Sequence, residues 1–205
     1  LLGATGSGKT TILRLIAGLE KPDSGEIIIN GKTANKDGKQ HVPPGARKIG
    51  FVFQDLALWP HLTVYQNVAF GLEPHKNQDA RQTALQMLEH FGVSDQADKY
   101  PNQLSGGQQQ LIAIARSLVV NPHIVLFDEP LASLDVKIKH KMRTVIKSLC
   151  REFAVTIIYV THDHREAFFL ADEIVVLNQG RIETAGNPRE IKQSNNAFVR
   201  EFIEL

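Results

Sequence analysis

The sequence of 205 residues has few of the features that mark disulfide-rich, membrane-spanning or nucleic-acid-binding chains. Its single cysteine, Cys150, excludes an internal disulfide and fits a reducing compartment. A formal net charge of +1 gives no electrostatic argument for nucleic acid. No apolar run reaches the roughly 18–20 residues that cross a bilayer, so any membrane process needs another chain to span it. With 42% hydrophobic and 22% charged residues, the chain can bury an ordinary globular core.

An initiating methionine and a signal peptide are also missing at the start. The chain opens with Leu1-Leu2, which indicate the end of a buried strand directly before a glycine-rich turn. Because a longer strand is expected ahead of such a turn, we interpret the sequence as part of a longer chain.

Short apolar segments alternate with helical patterns, and this alternation predicts an α/β fold. Fully apolar strands are typical of a mostly parallel sheet that is covered on both faces. The predicted strands are 1–2, 25–31, 49–53, 124–127, 155–160 and 174–177. The predicted helices are 9–17, most of 55–120, about 137–152 and about 164–171, and the polar residues 32–46 predict a loop.

Residues 3–10 match the pattern G-x-x-x-x-G-K-[ST] between a strand and a helix. Glycines let successive backbone N–H groups converge on an anion, and the positive end of the following helix adds to their field. We expect Lys9 to reach the β- and γ-phosphates of a nucleotide and Thr10 to ligate Mg²⁺. An ordinary glycine-rich turn is the alternative. The nucleotide-binding residues predicted here are Gly3, Ala4, Thr5, Gly6, Ser7, Gly8, Lys9, Thr10 and Thr11.

Two carboxylates, Asp128 and Glu129, follow a buried strand. The carboxyl ends of strands are where open α/β sheets bind ligands. We expect Asp128 to hold Mg²⁺ through water, and Glu129 to polarise the attacking water as a general base. A strand that simply meets solvent is the alternative, which the phosphate-binding pattern upstream disfavours.

The segment Leu104-Ser105-Gly106-Gly107-Gln108 lies between these two motifs. Ser105 can cap the following helix, and the two glycines bare backbone N–H groups, which makes a second anion site. Together with the motifs around it, the segment resembles the signature of the ATP-binding cassette family. The resemblance implies that two subunits meet head to tail and that each signature, residues 105–108, closes over the ATP of the partner.

Three more residues match motifs of this family. Gln54 resembles the Q-loop glutamine, which touches Mg²⁺ or the attacking water; Asp135 ends a D-loop-like segment at the dimer interface; and His162 resembles the switch histidine, which hydrogen-bonds the γ-phosphate. The resemblance therefore implies Glu129, His162, Gln54 and Lys9 as catalytic residues, Thr10, Gln54 and Asp128 as metal ligands, and ATP and Mg²⁺ as cofactors.

The resemblance also implies the architecture. Residues 1–205 are expected to form a single ATPase domain with a P-loop NTPase core on a mostly parallel sheet. An inserted helical subdomain is expected at about 55–115, with a small antiparallel β part that is incomplete in this sequence. The aromatic residue that stacks on adenine in the family belongs to strands that would precede Leu1.

Residues 51–72 are similar to importer ATPases that serve sugars, polyamines, iron(III), sulfate or molybdate. This implies a homodimer or paired ATPase subunit, an integral-membrane permease, and a solute-binding protein reached through that permease. It implies the cytoplasmic face of the inner membrane as location, and no nucleic-acid partner. Trp59 is our candidate for the permease-facing surface, whereas Phe51, Phe53 and Phe70 are expected mostly in the core. Leu111 stands where arginine is common, which is expected to weaken packing around the signature helix or hydrolysis itself.

Two other functions stay open at this point. Family members that act on DNA or ribosomes carry a long coiled coil or two cassettes, whereas here about a hundred residues without sustained heptads separate Lys9 from Ser105. A regulatory cassette without turnover is the second alternative. It is disfavoured because Gln54, Glu129 and His162 are all present.

Overall fold

The computed structural model describes residues 1–72 and 77–204. The helical prediction over 55–120 includes residues 73–76, which lie outside the described residues. The chain folds as two compact units. The first is Leu1–Arg47 with Arg143–Leu205, and the second is Lys48–Met142.

The described residues form a mixed α/β fold, as predicted, in which strands and helices alternate from β5 to β7. The α-helices are α1 (Lys9–Ala17), α2 (Val64–Ala69), α3 (Asn77–His90), α4 (Gly106–Leu118), α5 (Val136–Glu152), α6 (His164–Leu170), α7 (Pro188–Lys192) and α8 (Ala197–Glu204). The strands are β1 (Glu26–Ile29), β2 (Lys32–Lys36), β3 (Lys39–Gln40), β4 (Ile49–Val52), β5 (Ile124–Asp128), β6 (Thr156–Val160), β7 (Ile174–Asn178) and β8 (Arg181–Gly186). Short 3₁₀ helices cover Pro44–Ala46, Ser94–Gln96 and Pro101–Gln103.

In the first unit, the opening residues lie between two parallel strands. Leu2 forms parallel bridges to Thr161, at the end of β6, and to Val176 in β7. The backbone N–H of Leu177 donates to the Leu2 oxygen at 2.7 Å. Leu2 is fully buried, so the predicted buried strand end is confirmed. The chain therefore reaches Gly3 at the carboxyl edge of these strands.

The prediction of a loop over residues 32–46 is wrong. Strands β1, β2 and β3 form an antiparallel sheet in that order. The pairs Asn30-Gly31 and Asp37-Gly38 make the two connecting loops, and all four residues have positive φ, as two-residue hairpin loops require. Strand β1 lies within the predicted strand 25–31, whereas hydrophobic patterning misses β2 and β3, because β2 is polar and buries Asn35. The Asn-Gly and Asp-Gly pairs are the signal that indicates them.

The last part of the first unit adds elements that have no counterpart among the predicted ones. Strand β8 pairs antiparallel with β7, and residues 178–180 connect the two strands, with φ of 46° at Gln179 and 77° at Gly180. Asn187 caps α7 through a reciprocal capping box with Glu190. Helices α7 and α8 help bury one core, which comprises Leu2, Ala167, Ile174, Val176, Ile191 and Val199.

In the second unit, β4 and β5 pair in parallel, and Val52 lies opposite Phe127. Helix α4 packs closely on this pair at Gly50, where a β-carbon would come within 2.5 Å of the Ser117 oxygen. Since strands in parallel register end at the same edge, the residues that follow Val52 and Phe127 leave the pair together.

The described part of 55–120 is largely helical, as predicted. Helices α2, α3 and α4 enclose one apolar core, which comprises Val64, Val68, Ala84, Leu88, Val93, Ala97, Leu104, Ile112, Ala115 and Val119. Thr63 caps α2 with a reciprocal capping box. Among residues 1–72 and 77–204, no helix has both the length and the apolar character that crossing a membrane requires.

Arg47 ties the end of α1 to the small antiparallel sheet. Its guanidinium donates to the carbonyl oxygens of Leu15 at 3.0 Å and Ile16 at 2.6 Å, and it also donates to the Asn35 side-chain oxygen. The side chain is only 5% exposed, and this burial lowers the pKa of Arg47 from its ordinary value. One buried cation thus satisfies the last carbonyls of α1, which a helix cannot satisfy itself.

We predict that Arg47→Met lowers the free energy of unfolding by about 3 kcal/mol, because buried acceptors lose their donor. Arg14→Met is the matched control, since Arg14 lies on α1, the helix that Arg47 contacts. Arg14 makes an exposed ion pair with Glu20 at 3.3 Å, and its loss should cost about 0.5 kcal/mol or less. Urea unfolding measures both. Equal effects of the two substitutions would contradict the role of Arg47.

Candidate functional site

The glycine-rich turn of residues 3–8 continues directly from the buried strand end and stops at the first turn of α1. Gly6 and Gly8 have φ of 81° and 98°, values that residues with a β-carbon rarely adopt. Gly3 has no room for a side chain, because a β-carbon would lie 2.3 Å from the Leu177 oxygen. The Gly180 N–H donates to the Ser7 oxygen at 3.1 Å. The β7–β8 hairpin therefore packs against the turn and donates a hydrogen bond to it.

Lys9 is folded back onto this turn. Its ammonium donates to the carbonyl oxygens of Gly3 and Ala4, both at 2.8 Å, and the residue is only 4% exposed. The first turn of α1 contains no acidic residue, and within the described part of the chain no side chain caps it. Among the described residues, the buried Ser7 hydroxyl oxygen also has no hydrogen-bond partner. A buried cation, an uncapped helix start and an unsatisfied hydroxyl fit the phosphates of a nucleotide.

His162 follows β6 and lies in the first unit with the glycine-rich turn. The Thr161 N–H donates to the Leu1 oxygen at 3.1 Å, so β6 ends beside the strand that enters the turn. Thr161 Oγ1 donates to the buried carboxylate of Glu166 at 2.9 Å and accepts from the Asp163 N–H at 3.0 Å. One hydroxyl therefore holds the backbone on both sides of the exposed His162.

Glu166 is a buried carboxylate that the sequence prediction does not include. It is 3% exposed and also accepts a hydrogen bond from the Tyr159 hydroxyl at 2.9 Å. Burial and the neighbouring Glu166 carboxylate raise the pKa of Tyr159 well above its ordinary value. An acidic residue in the first turn of a helix ordinarily indicates a helix cap, so the sequence carries no sign of this role.

In the second unit, the parallel register brings Gln54, Asp128 and Glu129 to one edge of the β4–β5 pair. Asp128 is 5% exposed, whereas Gln54 is exposed and Glu129 is partly buried. Glu129 has a φ of 44°, which is strained for a residue with a β-carbon. The Ala132 N–H donates to the backbone carbonyl oxygen of Glu129 at 3.1 Å. The carboxylate therefore sits on a tight turn rather than at the end of a smoothly continuing strand.

The predicted metal ligands are divided between the units: Thr10 belongs to the first, and Gln54 and Asp128 belong to the second. Within the described ranges, no group of three or more histidine, cysteine, aspartate or glutamate residues could hold a metal by itself. A hydroxyl, an amide and a carboxylate are oxygen donors, which suit Mg²⁺ that takes further ligands from water and phosphate.

Ser105 of the signature caps α4, as predicted. The Gln108 N–H donates to Ser105 Oγ at 3.4 Å, and the Gln108 side chain accepts from the Ser105 N–H at 2.9 Å. A β-carbon at Gly106 would lie 3.3 Å from Leu134, and one at Gly107 would lie 3.2 Å from a methyl group of Ile138. The signature glycines thus permit close packing on the segment that precedes and begins α5.

Asp135, the D-loop-like residue, accepts a hydrogen bond from the Ile138 N–H at 3.0 Å and so caps the start of α5. Leu111 packs against the helical core of the second unit. Its apolar side chain thus has a packing partner where the family pattern commonly has arginine.

Two residues on helices hold the loop after Gln54, and the sequence prediction missed the role of both. Arg116, on α4, donates to the oxygens of Leu56 at 2.7 Å and Ala57 at 2.6 Å. Asn67 is fully buried, and it accepts from the Trp59 N–H at 2.9 Å and donates to the Trp59 oxygen at 3.1 Å. A single polar residue within an apolar helical stripe is the only signal that the sequence offers for either.

Two side chains contact the Trp59 ring. The Phe70 ring lies 4.1 Å from it, centroid to centroid, and the Arg116 guanidinium carbon lies 4.8 Å from the Trp59 ring centroid. Phe70 is 62% exposed, so the expectation of a core position is wrong for this residue. An aromatic pair therefore reaches the surface of the helical part.

The family model described as ABC transporter matches residues 1–132. The chain belongs to the ABC transporter family. The site residues described above that lie within this match are the glycine-rich turn, Gln54, the signature, Asp128 and Glu129. Two dimeric structures of the ATP-binding cassette MJ0796 resemble the fold. One, in a post-hydrolysis state bound to ADP and Pi, has a TM-score of 0.78 and 37% identity, and the other has a TM-score of 0.79 and 38% identity. In both, the match covers 92% of this chain and 84% of that chain.

Curated relatives in the ABC transporter family are nearly half identical to this chain. The spermidine/putrescine import ATP-binding protein PotA of Oleidesulfovibrio alaskensis is 47% identical, over 99% of this chain and 54% of that protein. The sulfate/thiosulfate import ATP-binding protein CysA of Synechococcus elongatus is 47% identical, over 99% of this chain and 58% of that protein. The chain thus spans a little over half the length of these relatives.

We predict that Gly3→Ala displaces the glycine-rich turn of this cassette, because the new methyl group would collide with the rigid Leu177 backbone. The free energy of unfolding should fall by about 3 kcal/mol, and binding of a fluorescent ATP analogue should be lost. Gly45→Ala is the control, since among the described residues nothing lies within 4 Å of its β-carbon position. That variant should stay within about 1 kcal/mol of the wild type. Normal stability and binding in Gly3→Ala would refute the close contact.

Proposed function

We propose that this chain is the ATP-binding and ATP-hydrolysing domain of an ABC transporter, in which it drives a separate permease. The observation that carries the proposal is the turn at residues 3–8, which ends a buried parallel strand and holds the Lys9 ammonium at 2.8 Å from two of its own carbonyl oxygens. A lysine held there exchanges carbonyl oxygens for phosphate oxygens with little movement. Family membership and the ADP- and Pi-bound cassette among similar structures support this assignment.

In the first unit, the N–H groups of residues 3–11 and the Lys9 ammonium bind the β- and γ-phosphates. His162 donates a hydrogen bond to the γ-phosphate, where charge accumulates as the bond to the leaving group breaks. Thr161 and Glu166 support this step by holding the backbone around His162. The strand at Leu2 brings the phosphate-binding turn and the end of β6 to one edge, which is what these roles need.

In the second unit, Glu129 acts as general base on the water that attacks the γ-phosphate, and Gln54 orients that water. The positive φ of Glu129 breaks the extended backbone directly after β5. Strain that is held by surrounding structure is common at functional residues.

Mg²⁺ would be held by the Thr10 hydroxyl, the Gln54 amide and, through water, Asp128. When bound, it neutralises charge on the β- and γ-phosphate oxygens. The oxygen donors described above support this choice of metal over a transition metal, which would favour imidazole or thiolate ligands.

We further propose that two cassettes pair head to tail, with Ser105, Gly106, Gly107 and Gln108 closing over the partner's ATP and Asp135 near the interface. The capped start of α4, with two glycines that leave its N–H groups uncovered, makes an anion site on the second unit, separate from the phosphate-binding turn. The similar cassette structures are described as dimeric, which supports pairing.

Residues 1–205 are proposed as one ATPase domain with a helical subdomain at about 55–115, acting at the cytoplasmic face of the inner membrane through a permease. An importer is favoured because the relatives are named for import. Relatives named for polyamine and for sulfate import are equally similar, at 47%. This fits a subunit that never contacts the solute, which a solute-binding protein would deliver to the permease. The exposed Phe70 and its neighbour Trp59 are the proposed permease-facing surface, and no nucleic acid is involved.

We predict that Glu129→Gln abolishes ATP hydrolysis in the presence of Mg²⁺ while ATP still binds. The amide keeps the shape of the side chain but cannot accept the proton from water. Phosphate release and ATP retention measure the two properties, and size-exclusion chromatography should detect an ATP-bound dimer. Glu89→Gln, at an exposed glutamate of the same unit, is the control and should hydrolyse ATP normally. If the wild type binds ATP but does not hydrolyse it, even with a permease, the proposal fails and a regulatory role takes its place.

We predict that mixing two inactive variants, Lys9→Met and Ser105→Arg, restores hydrolysis to about a quarter of the wild-type rate. Random pairing makes half of the dimers mixed, and each mixed dimer has one of its two sites with both Lys9 and Ser105 intact. Phosphate release from the mixture measures this, with each variant alone as control. If mixed dimers form but no activity returns, each site does not combine residues from two subunits.

A further inference from the structure

The loop that follows Gln54 contains two consecutive strained residues. Leu56 and Ala57 have φ of 61° and 44°, in the left-handed region that residues with a β-carbon rarely occupy. Neither is a glycine, so the backbone conformation carries an intrinsic cost at both positions. Another part of the structure must therefore hold the loop in this shape.

Arg116 supplies that restraint. One guanidinium nitrogen donates to the Ala57 oxygen at 2.6 Å and the other donates to the Leu56 oxygen at 2.7 Å. Both strained peptides are therefore bound by the same rigid, planar group. The guanidinium also lies over the Trp59 ring, 4.8 Å from its centroid. Burial lowers the pKa of Arg116 from its ordinary value, and the nearby Asp55 carboxylate partly opposes that shift.

The position of Arg116 along the chain connects two functional elements of the second unit. Helix α4 starts at the signature, capped by Ser105, and Arg116 lies in its last turn. Asn67 also holds the Trp59 backbone, through hydrogen bonds of 2.9 and 3.1 Å. The loop after Gln54 is thus attached to a helix whose other end carries the signature.

We propose that Arg116 is a positioning residue, which binds the strained loop after Gln54 to the signature helix and so makes the two elements move as one body. The proposal rests on the proposed function, since it takes Gln54 as the residue that orients the attacking water. Arg116 acts through the loop and is not itself proposed to contact nucleotide or the attacking water. Its loss releases Leu56 and Ala57 from their strained conformation, and Gln54 loses its orientation. ATP binding at the phosphate-binding turn of the first unit should be largely unaffected.

Adding Ala57→Gly to Arg116→Lys tests whether backbone strain in the loop explains the effect of losing Arg116. Lysine at position 116 keeps the charge but cannot donate to both carbonyl oxygens in the same fixed geometry. Ala57 is exposed, so Ala57→Gly removes one methyl group and also removes the cost of a positive φ. The loop of the double variant should therefore stay near its native shape without the guanidinium. A residue that only stabilised the fold would show no such specific rescue.

The experiment compares steady-state ATP hydrolysis by the full chain and four variants: Arg116→Lys, Ala57→Gly, the double variant and Arg81→Lys. Arg116→Lys should lower kcat about tenfold with KM for ATP changed less than about twofold. The double variant should recover several-fold in kcat. Arg81→Lys is the matched control, because Arg81 also lies over an aromatic ring of this unit, 4.5 Å from the Tyr65 ring centroid, and it should behave as wild type.

The single tryptophan provides a second readout that needs no turnover. Acrylamide should quench Trp59 fluorescence more strongly in Arg116→Lys than in the wild type, and Ala57→Gly should reverse this increase. Normal kcat in Arg116→Lys, or equal losses with and without Ala57→Gly, would overturn the proposal. If the wild type hydrolyses no ATP, the proposed function fails, and the quenching series still decides whether Arg116 holds the loop.

Discussion

The parallel placement of Leu2 between β6 and β7 is the constraint on which the first unit depends. It fixes the backbone that enters the glycine-rich turn, and the Leu177 oxygen lies so close to Gly3 that no side chain fits there. The same arrangement ends β6 beside the turn, so His162 follows at the same edge. The Lys9 ammonium then donates to two carbonyl oxygens of this turn, which keeps the side chain folded over it. The proposed phosphate-binding turn is thus positioned by strand register.

In the second unit, parallel strand register also brings the site residues to one edge, and several residues there have a strained backbone. The parallel register of β4 and β5 brings Gln54 to the edge where Asp128 and Glu129 emerge. Glu129, Leu56 and Ala57 all have positive φ without being glycines. Such conformations persist only when neighbouring groups hold them, and here Arg116 supplies two hydrogen bonds to the loop. The loop after Gln54 is therefore held by contacts from α4.

Local patterns predict most of the elements, and they fail where polarity and burial disagree. Helix α1 has its predicted bounds because glycine stands at both of its ends. Polar β2 is missed because it buries Asn35, whose side-chain oxygen accepts a hydrogen bond from Arg47, twelve positions away. Phe70 is wrongly expected in the core, since aromatic character alone does not say which face of a helix meets solvent. The positions of the site residues follow from motifs, whereas their roles stay predictions.

The sequence by itself determined the α/β class, the glycine-rich turn, the signature and the pair of carboxylates at the end of β5, because each depends on local spacing and on residue types with distinctive backbone or charge. Only the tertiary structure decided that Arg116 binds the loop after Gln54, that Glu166 supports the backbone around His162, and that Arg47 closes the end of α1. These contacts join residues that are far apart in the chain or lie on different elements. Their geometry depends on how helices and strands pack, which no local pattern encodes.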